Sequence, residues 1–251
     1  MNYNIVYTTE ALREYIGRAD TIAFDFETAP DDVWRNEAKA ALDAHKAHIA
    51  GISVSVAEGS AIYVPLAHRV GGNAVDPDGV MEYLRKAVFE NTGVVKVAHN
   101  LSFEAMFLYA LGIVVCEPCY DTIAAAQLTL KSKFEFRNLS DSGLKLLAIS
   151  LFGADMPDFG TVTAGRHFDE MDPADHETLR YACADSDYTL RLYHKFNAWF
   201  TKNLPRHRAI VEQVESPTAV YCGMMKYNGV PMNAAAMRER QKDAQEKLVK
   251  L

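Results

Sequence analysis

Thr21-Ile22-Ala23-Phe24-Asp25-Phe26-Glu27-Thr28 carries a two-residue alternation. Ile22, Phe24 and Phe26 fall on one face of an extended chain, and Ala23, Asp25 and Glu27 on the other. Residues 21–26 therefore predict a strand that buries an aromatic face and sets two carboxylates side by side on the opposite one. Downstream, residues 49–56 and 60–65 alternate about Glu58-Gly59 and predict an antiparallel hairpin. The intervening residues 36–48 are rich in Ala, Lys and Glu and predict a helix, with His45 and His48 as neighbours on its exposed face. Residues 78–89 have a helical stripe of apolar residues, 94–98 a short buried strand, and 103–111 a second helix.

A short extended piece ending near Tyr120 leads into a helix over 122–130, then a basic loop over 131–138 and a helix over 142–152 stopped by Gly153. Residues 155–165, with Gly, Pro and Thr, predict a surface loop. Residues 173–200 predict a long helix with Leu179, Ala182, Ser186, Leu190 and Tyr193 on one side. Tyr181 and Asp185, four residues apart, face together on another, and Asp187 is expected as a surface acid. The expected fold is α/β, a mixed five-stranded sheet flanked by helices. After Leu204-Pro205 the composition shifts to a C-terminal helical segment, with a turn at Asn228-Gly229 and a helix capped by Asn233. Met237, Ala244, Leu248 and Leu251 form a narrow seam, and the pattern stops without a cap, as expected of a sequence cut from something longer.

The 251 residues, 26 basic and 33 acidic, carry a formal net charge of −7. That is the wrong sign for gripping a polyanion by bulk electrostatics, so any nucleic-acid contact must be local. No apolar run approaches the roughly 20 residues of a membrane span, and the first residues lack the pattern of a signal peptide. A cytoplasmic protein with no membrane partner is expected. The four cysteines are too few and too unevenly spaced for a disulfide framework, and Cys116-x-x-Cys119 lacks the second pair of a zinc ribbon.

Four acids stand where solvation alone does not explain them: Asp25 and Glu27 among bulky apolar residues, Glu104 just inside a helix, and Asp185 on a mostly apolar helix. If the sheet brings strand 21–26 beside strand 94–98 and the long helix packs over both, the four converge. Such a cluster requires cations, and oxygen-only ligation suits Mg²⁺ or Mn²⁺. Two ions roughly 3.5–4 Å apart form the known clamp for in-line attack on a phosphodiester.

Ile22-Ala-Phe-Asp25-Phe-Glu27-Thr28, His99-Asn100-Leu-Ser-Phe103-Glu104 and Tyr181-Ala-Cys-Ala-Asp185 resemble the three exonuclease motifs of the DEDD superfamily, tyrosine branch. With Tyr120-Asp121-Thr122, Gly143-Leu144 and Phe168, residues 20–200 resemble the 3′-5′ proofreading domain of family A, polymerase I-like, DNA polymerases. Glu215-Ser-Pro217 and Met224-Met225-Lys-Tyr-Asn-Gly229 are similar to the segment by which such polymerases pass into the thumb. The resemblance implies a ribonuclease H-like fold, with an exonuclease domain over 1–204 and a truncated helical linker to a polymerase over 205–251.

It further implies metal-dependent hydrolysis of the terminal phosphodiester of DNA, releasing 5′-mononucleotides. Two divalent cations, Mg²⁺ or Mn²⁺, would be held by Asp25, Glu27, Glu104 and Asp185, with Asp25 shared between them. Tyr181 would orient the attacking water. Thr28, Asn100, Phe103, Lys133 and Arg137 would contact the substrate, Lys131 adding to the local basic group. The implied partners are a single-stranded or frayed 3′ end of DNA and a polymerase domain in cis or in trans, in a bacterial or phage-infected cell and associated with the nucleoid. Glu104 departs from the pattern, which ordinarily has Asp there. Two alternatives stand beside this reading: a ribonuclease D-like 3′-5′ RNA exonuclease, and an inactive exonuclease fold that binds a polymerase or primer-template.

Overall fold

The computed structural model describes residues 1–133 and 142–249, with side chains for 1–129 and 142–248. Six strands, β1 (Asn2–Ile5), β2 (Thr21–Pro30), β3 (Ala47–Ala57), β4 (Ser60–Pro65), β5 (Val95–Ala98) and β6 (Cys119–Asp121), form one sheet in the order β1-β4-β3-β2-β5-β6. The β2-β3-β4 meander is antiparallel, while β1 on β4, β5 on β2 and β6 on β5 run parallel. The described helices are α1 (Thr9–Ile16), α2 (Pro77–Leu84), α3 (Leu101–Ala110), α4 (Thr122–Lys133), α5 (Leu144–Phe152), α6 (Phe159–Thr163), α7 (His176–Asn203), α8 (Pro205–Ile210), α9 (Ser216–Asn228) and α10 (Ala234–Val249).

The alternation in β2 divides the two cores. Ile22, Phe24 and Phe26 pack with Leu12, Leu84, Phe89, Leu101 and Val220 in the larger core, under α1, α2, α3 and α9. Phe24 meets Phe89 with ring centroids 5.1 Å apart, and burying each such ring contributes about 1.5–3 kcal/mol. The opposite face carries small residues, Ala23 on one patch and Ala29, Ala50 and Ala61 on another, and α7 lies over it. Small side chains there let α7 approach closely enough for its own carboxylate to meet those of β2.

The sheet has one strand more than the five expected. Asn2-Tyr-Asn-Ile is too short and polar to announce a strand, and it is held at the edge by a distant residue. The Tyr3 hydroxyl donates to Asp187 Oδ2 (2.8 Å), whose Oδ1 accepts the Gly59 N–H (2.8 Å) and the Arg191 Nε–H (2.9 Å). Asp187 is therefore not a surface acid: it is fully buried and joins α7, β1 and the β3-β4 turn.

The helix expected over 36–48 does not form: the segment holds a 3-10 turn at Ala40–Leu42, preceded by another at Asp32–Trp34, and β3 already begins at Ala47. Tertiary contacts override helix propensity here. Arg35 donates to the Pro30 carbonyl (3.0 Å) and through both terminal nitrogens to the fully buried Asp169 (2.9 and 2.7 Å), which also takes the Arg69 Nε–H (2.8 Å). His48 lies on β3, bonded to Asp31 (2.8 Å), and His45 stacks on Tyr227 at 4.2 Å, so neither lies on an exposed helix face. The loop expected over 155–165 contains α6, capped by the Asp158 carboxylate, which accepts from the Gly160 and Thr161 N–H groups.

The C-terminal segment packs on the sheet edge. Ser216 Oγ accepts the Asp121 N–H at 2.8 Å, and a Cβ at Gly223 would meet the Ser102 carbonyl at 2.6 Å, so α9 lies directly against the backbone of α3. Asn233 caps α10 as expected, accepting the Ala236 N–H at 3.1 Å. Among the described residues no helix is long and apolar enough to cross a membrane.

Candidate active site

Asp25 and Glu27 leave β2 on the face covered by α7, and Asp185 descends from α7 toward them. Carboxylate oxygens of the three lie within 4.8 Å of one another. Glu27 and Asp185 are buried and Asp25 is half-buried. Glu27 Oε1 and Asp185 Oδ1 have no hydrogen-bond donor among the described residues, and neither has Oε2 of Glu104, which is buried on α3. Glu104 stands outside the tight triad but within the electrostatic field of Asp25. Buried, unpartnered, like-charged oxygens at this spacing fit an oxygen-ligated divalent cation and little else.

Desolvation raises the pKa of all four acids. For Asp25, Asp185 adds repulsion; for Glu27, Asp25 and then Asp185 do; for Glu104, Asp25 does. Asp185 is pushed up to about 7 by burial. An acid whose folded pKa lies above its unfolded value, about 3.9 for Asp, contributes full stability below that value and loses it as pH rises through the folded pKa. His68 and His99, whose pKa values burial lowers, His99 to about 4, shift stability the other way over the same range. The difference between scans with Mn²⁺ and with EDTA cancels the histidines. The rise in Tm caused by Mn²⁺ is thus expected to be small at pH 5 and to grow toward pH 8; a rise independent of pH in differential scanning fluorimetry would contradict cation capture by these acids.

Tyr181 stands one helical turn before Asp185 and is buried between Phe168 and Phe159, with centroids 5.8 and 5.9 Å away. Burial, then Glu27 and Asp185, drive its pKa far above the ordinary range, so its hydroxyl stays protonated and can donate. Lys145, in the first turn of α5, holds its ammonium 4.4 Å from the centre of the Tyr181 ring. Phe159, partly exposed beside Tyr181, and Lys145 are site neighbours that sequence reasoning missed. Residues 155–165 read as a loop and 142–152 as a helix, with no period to show where they meet the long helix.

The residues around Glu104 are fixed by a network from β6 and α9. Asp121 accepts the N–H groups of Asn100 (3.1 Å), Leu101 (3.1 Å) and Ile123 (2.9 Å), which holds Asn100 in the left-handed region at φ 77° and starts α3. Asp121 is itself raised to about 6 by burial. Lys226 of α9 donates to Ser102 Oγ (2.9 Å), which donates to Asn100 Oδ1 (3.0 Å). Phe103 is half-buried and packs on Phe107 at 5.0 Å. The register of β2 on β3 shifts between Glu27 and Thr28, and the Thr28 hydroxyl donates to the Ala41 carbonyl (2.7 Å). Such bulges re-aim side chains beside active sites. Arg137 and the side chains of Lys131 and Lys133 lie outside the described residues.

Residues 3–199, most of the chain, with all four acids and Tyr181, match the 3′-5′ exonuclease family model of the DNA polymerase A type. The chain belongs to this exonuclease family. It is 27% identical over 247 residues to DNA polymerase I of Pseudomonas aeruginosa, a match covering 96% of this chain and 25% of the relative. The chain thus spans about a quarter of that curated relative's length. Among solved structures, the POL domain of Pol1 from M. smegmatis, in complex with DNA primer-template and dNTP, superposes with a TM-score of 0.69 at 11% identity, over 98% of this chain and 36% of that one. Brucella melitensis NrnC with bound Mg²⁺ superposes with a TM-score of 0.61 at 17% identity, over 93% of this chain and 98% of that one. These likenesses establish the ribonuclease H-like exonuclease fold, and the family establishes a 3′-5′ exonuclease domain.

Proposed function

We propose that this exonuclease domain removes nucleotides one at a time from a single-stranded or frayed 3′ end of DNA, as the proofreading part of a family A polymerase whose polymerase domain acts in cis or in trans. The reading rests on one observation above all: the carboxylates of Asp25, Glu27 and Asp185 converge within 4.8 Å, two of them with an unpartnered buried oxygen, beside a tyrosine held protonated. Asp25, central to the group, would be shared by two divalent cations, Mg²⁺ or Mn²⁺, with Glu27 and Asp185 on the first and Glu104 toward the second. Bound there, the cations supply a nucleophilic water at neutral pH and stabilise the leaving oxygen.

Tyr181 donates its hydroxyl to the attacking water and so fixes its line of approach to the phosphorus. Asn100, already anchored through Asp121 and Ser102, and Phe103 receive the terminal nucleotides by hydrogen bond and by stacking. Thr28 approaches the 3′ end through its backbone, since its hydroxyl is engaged by Ala41. Lys133 and Arg137 are proposed on the path of the phosphate backbone. A cytoplasmic, nucleoid-associated setting belongs to the same proposal.

The test is the product ladder from 5′-labelled single-stranded DNA and a matched RNA, in EDTA, Mg²⁺ and Mn²⁺. Metal-dependent shortening of DNA from the 3′ end is expected. Preference for the RNA would move the chain to a ribonuclease D-like role, and no shortening in any metal would return the inactive-scaffold alternative. Glu104→Asp is expected to keep or raise the rate, because ligation through a bridging water tolerates one methylene. Complete loss in that variant would show the site to be built around glutamate.

A further inference from the structure

Lys145 stands in an unusual place. It occupies the second position of α5, at the helix end where the macrodipole disfavours a cation, so helix stability does not account for it. Its ammonium lies 4.4 Å from the centre of the Tyr181 ring, within cation–π range. Its charge acts on Asp25, Glu27 and Asp185 alike. Among the described residues it forms no ion pair and no hydrogen bond: the head acts on three acids and is bonded to none. It is half-buried, which leaves it reachable from solvent.

Charge balance says what such a head is for. Four carboxylates and two divalent cations cancel, and the phosphodiester they act on brings one further negative charge, which one ammonium neutralises. We propose that Lys145 is a further residue of the exonuclease site, whose ammonium, braced on the Tyr181 ring, contacts a non-bridging oxygen of the phosphate being cleaved. This rests on the exonuclease reading above. Lysine suits the task as a compact point charge on a flexible stem, able to leave the ring and follow the phosphate as negative charge builds on its oxygens.

The test compares wild type, Lys145→Met and Lys145→Arg. Steady-state cleavage gives kcat and KM. Fluorescence anisotropy follows a single-stranded oligonucleotide whose last linkage is an uncut phosphorothioate, in Mg²⁺ over a range of salt. Calorimetry measures Mn²⁺ alone. In Lys145→Met kcat is expected to fall on the order of 10²-fold, as for loss of one preorganised charge at a developing oxyanion. The salt slope of binding is expected to drop by about 0.7, one phosphate contact on a single strand. Mn²⁺ affinity should hold or rise, since a positive neighbour of the cation has gone, whereas a packing defect would weaken it. Lys145→Arg, which keeps the charge, should retain most of the rate.

Lys145→Met with unchanged kcat and salt slope overturns the proposal. So does loss of Mn²⁺ binding in both variants, which makes the residue a packing element. If wild type itself fails to shorten DNA, the exonuclease reading falls first. If wild type shortens it and Lys145→Met does so equally, only the role of Lys145 falls.

Discussion

Asp25→Ala is expected to lower the rate of 3′-terminal cleavage by at least about 10³-fold, roughly 4 kcal/mol of transition-state stabilisation, while leaving the fold intact. Asp25 belongs to the group of three whose oxygens lie within 4.8 Å of one another, and it also acts on Glu104. Removing it therefore affects every other acid of the site. The effect on stability runs opposite to that on rate. Asp185 repels Asp25, and Asp25 repels Glu27, so deleting Asp25 relieves like-charge crowding in the metal-free protein. In EDTA at pH 8 the variant should melt no lower than wild type, and Mn²⁺ should raise its Tm less. Rate assays on the labelled oligonucleotide and paired thermal scans check both signs. A variant with near-normal cleavage would sink the assignment of the centre, and a variant that melted far lower in EDTA would show that Asp25 is structural.

Asp169→Ala is expected to cost about 3–5 kcal/mol, because deleting one partner of a buried ion pair strands the other. Asp169 is fully buried and binds Arg35 through both carboxylate oxygens and Arg69 through one. Arg35 is 15% exposed, so it cannot simply turn to water. Glu170 takes one Arg35 hydrogen at 2.8 Å and would hold part of the pairing, which favours the lower end of the range. For a chain of this size the loss corresponds to a fall in Tm on the order of 10 °C. The segment between β2 and β3, which carries Ala41 and so anchors Thr28, should also become more open to proteolysis in the variant. A Tm within about 2 °C of wild type would show that Arg35 and Arg69 repair the cluster without Asp169.

Much of the site was legible because its chemistry is local in sequence. Strand periodicity puts Asp25 and Glu27 on one face of β2, and helical spacing puts Tyr181 and Asp185 on one face of α7. The hairpin strand over 60–65 was readable to the residue, because alternation and a two-residue connection are both short-range signals. Glu104 was legible as an acid opening an apolar helix, although the structure sets it beside the tight group of three rather than within it.

Residues 36–48 carry helix-forming composition, yet Arg35 is drawn to Asp169, 134 positions away, and the segment turns instead. β1 exists as a sixth strand because Tyr3 finds Asp187, 184 positions away. Lys145 and Phe159 meet Tyr181 only because α5 and α6 pack against α7. The sequence by itself determined the alternation of the strands, the faces of the helices and the order of the acidic motifs, since these follow from backbone periods of two and 3.6 residues. Tertiary structure alone decided the edge strand, the clamp on Asp169 and the neighbours of Tyr181, because each depends on a charge or ring meeting its partner across a distance that no local period encodes.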